Sequence, residues 1–315
     1  MNQSGQKENA PLISISLCTY NGERYLPLQL ESLLTQTYEN LEIIIVDDKS
    51  SDNTLEIVHD YMNRDSRIKL YKNEQNIGFN NNFGKALSLA AGEFLAISDQ
   101  DDVWEKDKIE VLFNNIQDNW LIFSNSALID QDGVPLGELL MKQVDLKQVD
   151  FKNFLFSNYT TGHTSMMHRD LLKYVLPIPE AGFYDWWIGF VAAYHNKAIF
   201  CNKVLTQHRV HKNSVIQEKL LSNADKESRS KLVFHVVQQQ LNVFKNYAHL
   251  LPKDKIFLEE FENAYSNGSK GFSFKLFWMY LKDFNQIHPD RKHKSFLSKV
   301  NYLRKISRAK HSLSS

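Results

Sequence analysis

Cysteine is scarce in this chain: only Cys18 and Cys201 occur in 315 residues, both within apolar, strand-like runs. Two such residues make neither a disulfide framework nor a zinc pattern, so a reducing compartment is expected. No uninterrupted apolar stretch reaches the length needed to cross a bilayer. The first ten residues, MNQSGQKENA, lack the basic start and apolar run of a secretory signal and read as a disordered leader. Net charge is missing too. The 37 Lys and Arg balance 37 Asp and Glu, which gives no reason to expect nucleic acid as a partner. Internal repeats are absent, and the first strand-to-helix turn, TYNGER, lacks the GxGxxG that brings backbone close to a pyrophosphate, which disfavours an NAD-dependent dehydrogenase. With 43% hydrophobic and 23% charged residues, global disorder is excluded, and the length suits one large domain or two smaller ones.

What is present alternates. Leu12 to Cys18 reads as a strand ending in Thr19, Tyr20, Asn21 and Gly22, followed by a helix with Leu26, Leu30, Leu33 and Leu34 on one face. A second strand, Leu41 to Val46, stops at Asp47 and Asp48; Ser50, Ser51 and Asp52 then offer caps to a helix carrying Leu55, Val58, Tyr61 and Met62. Ile68 to Tyr71 is a third strand. An Asn-rich loop with Gly78 leads to a helix marked by Phe83, Ala86, Leu87 and Ala90, and this helix feeds the run FLAISDQDDVW. Such alternation predicts an α/β fold, a mostly parallel sheet with helices on both faces. Ligands gather at the carboxyl ends of such strands, where all three polar clusters fall.

The acidic cluster is the most concentrated of the three. Asp99, Asp101 and Asp102 crowd three carboxylates into four positions, where mutual repulsion raises the cost of ionising all of them unless a cation is near. Mg2+ or Mn2+ is the simplest remedy, sharing its shell with substrate phosphates. A solvated acidic turn capping the next helix is the alternative. Further on, Leu121 to Ser124 reads as a strand, the DQDG run at Asp130 to Gly133 as a hairpin turn, Arg169 to Val175 as a helix, and Val204 to Val210 as a strand leading into His211.

Beyond about residue 219 the pattern is helical. From Asp290 to His311 eight Lys or Arg face one acid, and Phe296, Val300, Leu303 and Ile306 share one side of that helix. A basic amphipathic helix of this kind lies on an anionic bilayer or packs its apolar side on the core.

In order, LISISLCTYNGERYL, LEIIIVDDKSSDNT, NIGFNNNF, FLAISDQDDVW and YDWW resemble glycosyltransferase family 2, inverting transferases of GT-A (Rossmann-like) fold, and look closest to its bacterial rhamnosyltransferase-like members. The resemblance covers residues 11–215, implying a GT-A domain with a nucleotide-binding half (11–105) and an acceptor-binding half (106–215). A helical C-terminal region, 216–315, lies outside it. It implies that Thr19, Asn21 and Glu23 border the nucleotide. Asp47 or Asp48 would meet the base or ribose, with Asn82 closing the base pocket and Asp99 facing ribose, sugar or the metal's waters. Asp101 matches the metal ligand, and His211 sits where relatives place a group near the diphosphate or metal. Asp185 matches the general base, although Tyr184 precedes it where the family has Glu. Trp186, Trp187 and Gly162 are expected on the acceptor side, the tryptophans as a stacking surface; their alternative is core packing. His163 in the TGH turn is a weaker candidate.

The implied activity is metal-dependent transfer from a dTDP- or UDP-sugar, dTDP-L-rhamnose among them, to a glycan or lipid-linked acceptor in bacterial surface polysaccharide synthesis. It would run in the cytoplasm, with peripheral contact at the inner face of the plasma membrane through the basic helix. QHRVH stands in place of the QxxRW of processive synthases, which favours single-sugar addition. The competing reading is a non-catalytic nucleotide-sugar binder within a glycan assembly complex.

Overall fold

The computed structural model describes residues 10–142, 144, 146, 148–211, 226–267 and 272–307. The expected leader, apart from Ala10, lies outside them, as do Arg308, Lys310 and His311 of the basic tail. One nine-stranded sheet organises the chain: β1 (Ile13–Thr19), β2 (Leu41–Asp47), β3 (Ile68–Lys72), β4 (Phe94–Ser98), β5 (Val103–Trp104), β6 (Leu121–Ile129), β7 (Pro135–Leu139), β8 (Ser165–His168) and β9 (Ala198–Arg209). Its order is β3-β2-β1-β4-β8-β6-β9-β5, with β7 paired to β6. The first four strands are parallel, as the alternation predicts. Past β4 the sheet becomes mixed, because β8 inserts antiparallel between β4 and β6.

Strand order reverses beside β1, whose neighbours are β2 and β4. That is the switch point at which open α/β sheets leave a crevice beyond the strand ends. Thr19, Asp47 and Ser98 therefore finish side by side.

Both faces of the sheet are covered. Ile13, Ile15, Leu17, Ile43 and Ile45 pack against α1 (Leu26–Leu34), α2 (Thr54–Arg64) and α4 (Lys108–Asn115). Ile44, Val46, Leu95 and Ile97 face the other way, toward α3 (Phe79–Leu89) and α6 (Tyr184–Tyr194). Strand residues alternate between faces, so a continuous apolar run is what two covered faces require. The segment expected as a helix over Arg169 to Val175 begins with a 3-10 turn and finishes as α5 (Leu172–Val175).

The C-terminal helices are α7 (Lys226–Lys245), α8 (Pro252–Asn267), α9 (Phe274–Lys282), α10 (Phe284–Ile287) and α11 (Phe296–Ile306). They share the core of the sheet domain, since Leu241, Phe244, Phe261, Tyr280 and Leu303 join Phe190 and Trp187 in one cluster. In α11 the apolar stripe turns inward at Leu303, with Val300 and Ile306 partly buried, while Phe296 stays outside. The C-terminal part of the stripe follows the packed alternative, because α11 lies along α9 with the Ser273 N–H donating to the Ser307 carbonyl at 3.0 Å.

Gly92 sits where β1 and the start of β4 come together. A Cβ there would stand 2.6 Å from the Leu12 carbonyl and 2.7 Å from the Ser14 nitrogen, both backbone atoms that cannot swing away. Gly92→Ala is expected to cost about 1–3 kcal/mol, as overpacking does, read as a lower urea midpoint.

Candidate active site

Polar side chains at the ends of β1 and β2 mostly serve the loops themselves. Asp47 is fully buried. It accepts from the Thr19 hydroxyl at 2.9 Å, the Ser50 N–H at 2.9 Å and the Ser50 hydroxyl at 2.5 Å. Asp48 accepts from Ile77 N–H at 2.8 Å, Gly78 N–H at 2.9 Å and the Asn73 amide at 2.8 Å, which folds the Asn-rich loop back over β2. Gly78 has φ +80, a left-handed value that glycine adopts without strain. Asn82 donates to the Val46 carbonyl at 2.9 Å and accepts from Asn73 at 2.8 Å. Thr19, Asp47 and Asn82 are thus corrected from nucleotide-facing groups to supports beneath the rim, because burial and full hydrogen bonding occupy them. Asn21 and Glu23 are exposed and bridge to the next loop: Asn21 accepts from Ser51 N–H at 2.8 Å, and Glu23 from Asn53 N–H at 3.0 Å.

After β4 the three carboxylates separate by role. Asp102 is fully buried and accepts from the His208 ring at 2.9 Å and the Arg209 N–H at 3.0 Å. Burial works against its charge, but His163 and His208 outweigh it and hold the carboxyl well below the usual range. The pKa of His208 is pushed up to about 9; burial opposes this, and Asp102 more than compensates. The rings of His163 and His208 stack at 4.4 Å, and the His163 Nε2 is 2.9 Å from the Ser126 hydroxyl. Asp101 points toward the opening instead, 2.7 Å from His211 Nε2, the two side chains 20% and 13% exposed. Burial raises its pKa, and the neighbouring charges of Asp102 and Asp99 add to the rise. Asp99 is 33% exposed and lies 3.4 Å from His163 Nδ1.

Arg209 ties these parts together. Its Nε donates to the Asp101 carbonyl at 2.9 Å, its Nη1 to the Asp130 carbonyl at 3.1 Å, and its guanidinium lies 4.6 Å from the Tyr25 ring centre. Tyr25 also leans on His211, with ring centres 5.3 Å apart. One arginine therefore fixes the acidic loop, the hairpin turn and the start of α1.

Asp185 opens α6. Its Oδ1 accepts from Trp186 N–H at 2.7 Å and its Oδ2 from Gly162 N–H at 3.2 Å. Burial pushes its pKa up to about 7, with the Asp99 charge adding to the rise while the two amides oppose it. Asp99 is thus felt from both sides of the rim, since it also raises the Cys18 thiol together with Asp48, after burial. Gly162 offers backbone alone. A Cβ on it would stand 2.0 Å from the Tyr184 hydroxyl, so its expected place on the acceptor is corrected to positioning Asp185. Trp186 and Trp187 are 5% and 6% exposed, and their indoles donate to the Phe154 carbonyl at 2.7 Å and the Val175 carbonyl at 3.0 Å. Their expected stacking on a sugar is corrected to core packing.

The rim therefore presents Asp99, Asp101, His211 and Asp185, with Asp48, Asp102, His163, His208 and Arg209 beneath. Among the described residues Asp102, His163 and His208 form a group whose ligand atoms lie within 4.8 Å of one another. Sequence reasoning missed Asp102 and His208 as a pair and undervalued His163. The only signal was a buried-looking QHR run of period two on a strand.

The Glycosyl transferase family 2 model matches residues 14–176. An Escherichia coli protein, UDP-Glc:alpha-D-GlcNAc-diphosphoundecaprenol beta-1,3-glucosyltransferase WfgD, is 31% identical over 66% of this chain and 81% of its own length. An uncharacterized glycosyltransferase of Haemophilus influenzae is 38% identical over 36% of this chain, and the match spans only 35% of that relative. Two solved structures share the fold. S. aureus TarS 1-349 in complex with UDP-GlcNAc has a TM-score of 0.60 at 18% identity, covering 96% of this chain and 89% of that one. Mannosyltransferase PcManGT from Pyrobaculum calidifontis, in complex with GDP-Man and Mn2+, has 0.55 at 15% identity, covering 96% and 88%.

Removing one partner of a buried pair leaves an uncompensated charge. Asp102→Ala should destabilise by about 3–5 kcal/mol, whereas Asp99→Ala should stay within about 0.5 kcal/mol because its partly exposed side chain anchors no loop. Chemical denaturation of the two variants checks the contrast.

Proposed function

The chain belongs to glycosyl transferase family 2, and on that premise we propose that it transfers one sugar from a pyrimidine nucleotide sugar to a hydroxyl of a lipid-linked glycan, inverting the anomeric centre. The observation that carries this reading is Asp185, a carboxylate with its pKa pushed up to about 7 by burial, aimed at the rim that holds Asp99 and Asp101. A base matched to neutral pH accepts a proton most effectively there.

We assign the roles as follows. Asp48, one residue further toward the loop and 3% exposed against 0% for Asp47, is the base-reading carboxylate; a carboxylate accepts the ring N–H that pyrimidine-2,4-diones carry. Asn21 and Glu23 flank the nucleotide on the exposed side. The acceptor hydroxyl attacks the anomeric carbon from the face opposite the diphosphate, Asp185 takes its proton, and the bond to the diphosphate oxygen breaks. Residues 11–105 serve the donor and 106–215 the acceptor, except that His211 reaches back to Asp101 on the donor side.

The residues fit a divalent ion. Asp101 and His211 offer an oxygen and a nitrogen at the opening; burial first and then the charges of Asp102 and Asp99 raise the Asp101 pKa, and a dication relieves that charge crowding. An ion held there, Mn2+ or Mg2+, would supply Lewis-acid stabilisation of the leaving diphosphate. The buried Asp102 has its charge balanced by His208 and no exposed surface, so it is the weaker seat. The UDP-Glc in the name of the E. coli relative favours a UDP-sugar over dTDP-L-rhamnose. Among the described residues no helix is long and apolar enough to cross a membrane, so a lipid-linked acceptor would be met at a membrane surface.

The pH profile, two variants and metal removal test this. Transfer should rise about tenfold per pH unit below about 7 and level off above it, because the base works only when deprotonated. Asp185→Asn should lower the rate by about 10²–10⁴-fold while UDP binding survives; full activity in that variant would remove the assignment. EDTA should stop transfer, and Asp101→Ala should lower it by about a hundredfold or more. Mn2+-dependent UDP binding measured by calorimetry should weaken in the same variant.

A further inference from the structure

Four large apolar side chains stand out from the C-terminal helices: Phe274 at 72% exposure, Trp278 at 62%, Phe296 at 67% and Leu297 at 74%. Nothing in the core needs them. Helix α9 already buries Leu276 and Tyr280, so its sequence FKLFWMYLK is apolar on two faces, one inside and one outside. Phe274 and Trp278 are four residues apart and share the outer face, with Lys275 and Lys282 beside them at helical spacing. Phe296 and Leu297 begin α11, which runs antiparallel along α9 and so starts near the C-terminal end of that helix. The segment leading to them, 291–295, reads RKHKS.

We propose that this surface, Phe274 and Trp278 of α9 with the start of α11, docks the protein on an anionic lipid bilayer. Trp and Phe beside lysines are the side chains that settle at the headgroup level, with rings at the acyl boundary and ammonium groups among the phosphates. The charge favours this occupant over a second copy of the chain. Between Phe272 and Lys299 six Lys or Arg stand against two acids, Asp283 and Asp290; Asp283 is paired with Lys152 at 2.8 Å, Asp290 with Arg291 at 3.5 Å, and Lys275 with Glu260 at 3.1 Å, which leaves the balance positive. A self-complementary contact would set that positive surface against itself. Of the stripe that the sequence suggested for lipid, Leu303 is packed inside and Val300 and Ile306 are partly buried, so only its first residue, Phe296, belongs to the docking face. It is also joined to the catalytic side. Lys152 pairs with Asp283 and the Asn153 amide donates to the Gln286 carbonyl, while the next residue, Phe154, receives the indole N–H of Trp186, neighbour of Asp185. Docking would therefore hold α6 at a set height above the bilayer. The proposal stands whatever reaction the rim performs.

The full chain is sedimented with vesicles of phosphatidylcholine alone and of phosphatidylcholine with phosphatidylglycerol. Binding to the anionic vesicles, weakening as salt is raised, is expected. The exposed double variant Phe274→Ser/Trp278→Ser should keep its melting temperature and lose binding by tenfold or more. Lys282→Glu/Lys294→Glu should lose about as much. Equal binding of the aromatic variant, or no preference for the anionic vesicles, would overturn the proposal. So would sedimentation velocity showing a dimer that the aromatic variant abolishes, with no vesicle binding by the unaltered protein.

Discussion

A carboxylate without access to water, Asp102, is the hinge on which the rim depends. It accepts from the ring of His208 and the N–H of Arg209, both on β9, and so binds the loop after β4 to a strand more than a hundred residues later. Arg209, once placed, reaches the Asp101 carbonyl and the hairpin turn and lies on Tyr25. A buried ion pair seldom adds stability over an apolar replacement, but it does fix geometry. Here the geometry matters: with Asp102 directed inward, its neighbour Asp101 must face out, where His211 meets it. The two-residue pairing of Val103 and Trp104 with Gln207 and Thr206 completes the clamp.

Much of this was legible in the amino-acid order, for reasons that differ from element to element. The first four strands are continuous apolar runs because helices cover both faces, and such runs are visible without knowing their neighbours. The carboxyl-end clusters follow from that topology. Which acid turns inward does not. Asp101 and Asp102 are adjacent and chemically identical, and the choice is made by β9, whose contribution no local pattern announces. The tryptophans pose the same problem. Two indoles beside a carboxylate suit a sugar platform or a core equally, and carbonyls of Phe154 and Val175 decide for the core. In α11 the apolar period was readable, but its direction depended on where α9 lies.

Asp185 shows how one backbone arrangement sets chemistry. Its oxygens take N–H groups from Trp186 and from Gly162, and both favour the charged form. Burial nonetheless prevails, so the group ends near 7 rather than near an ordinary carboxylate value. Gly162 is essential to that balance, since any side chain would collide with the Tyr184 hydroxyl and move the loop that supplies the amide.

Charge bookkeeping beneath the rim points the same way. Lys108 lies under the acidic loop, its amine donating to the His163 carbonyl and to the Thr206 hydroxyl at 2.8 Å. Burial pulls its pKa well below the usual lysine range, while the charges of Asp102 and Asp99 oppose the shift. The cations beneath the rim are already engaged, the His208 imidazolium by Asp102 and the Arg209 guanidinium by the Asp101 and Asp130 carbonyls. Asp99 and Asp101 consequently keep their negative potential directed at the opening. In a low-dielectric wall such a potential is focused rather than screened, which is the arrangement that draws a divalent ion together with the diphosphate it accompanies.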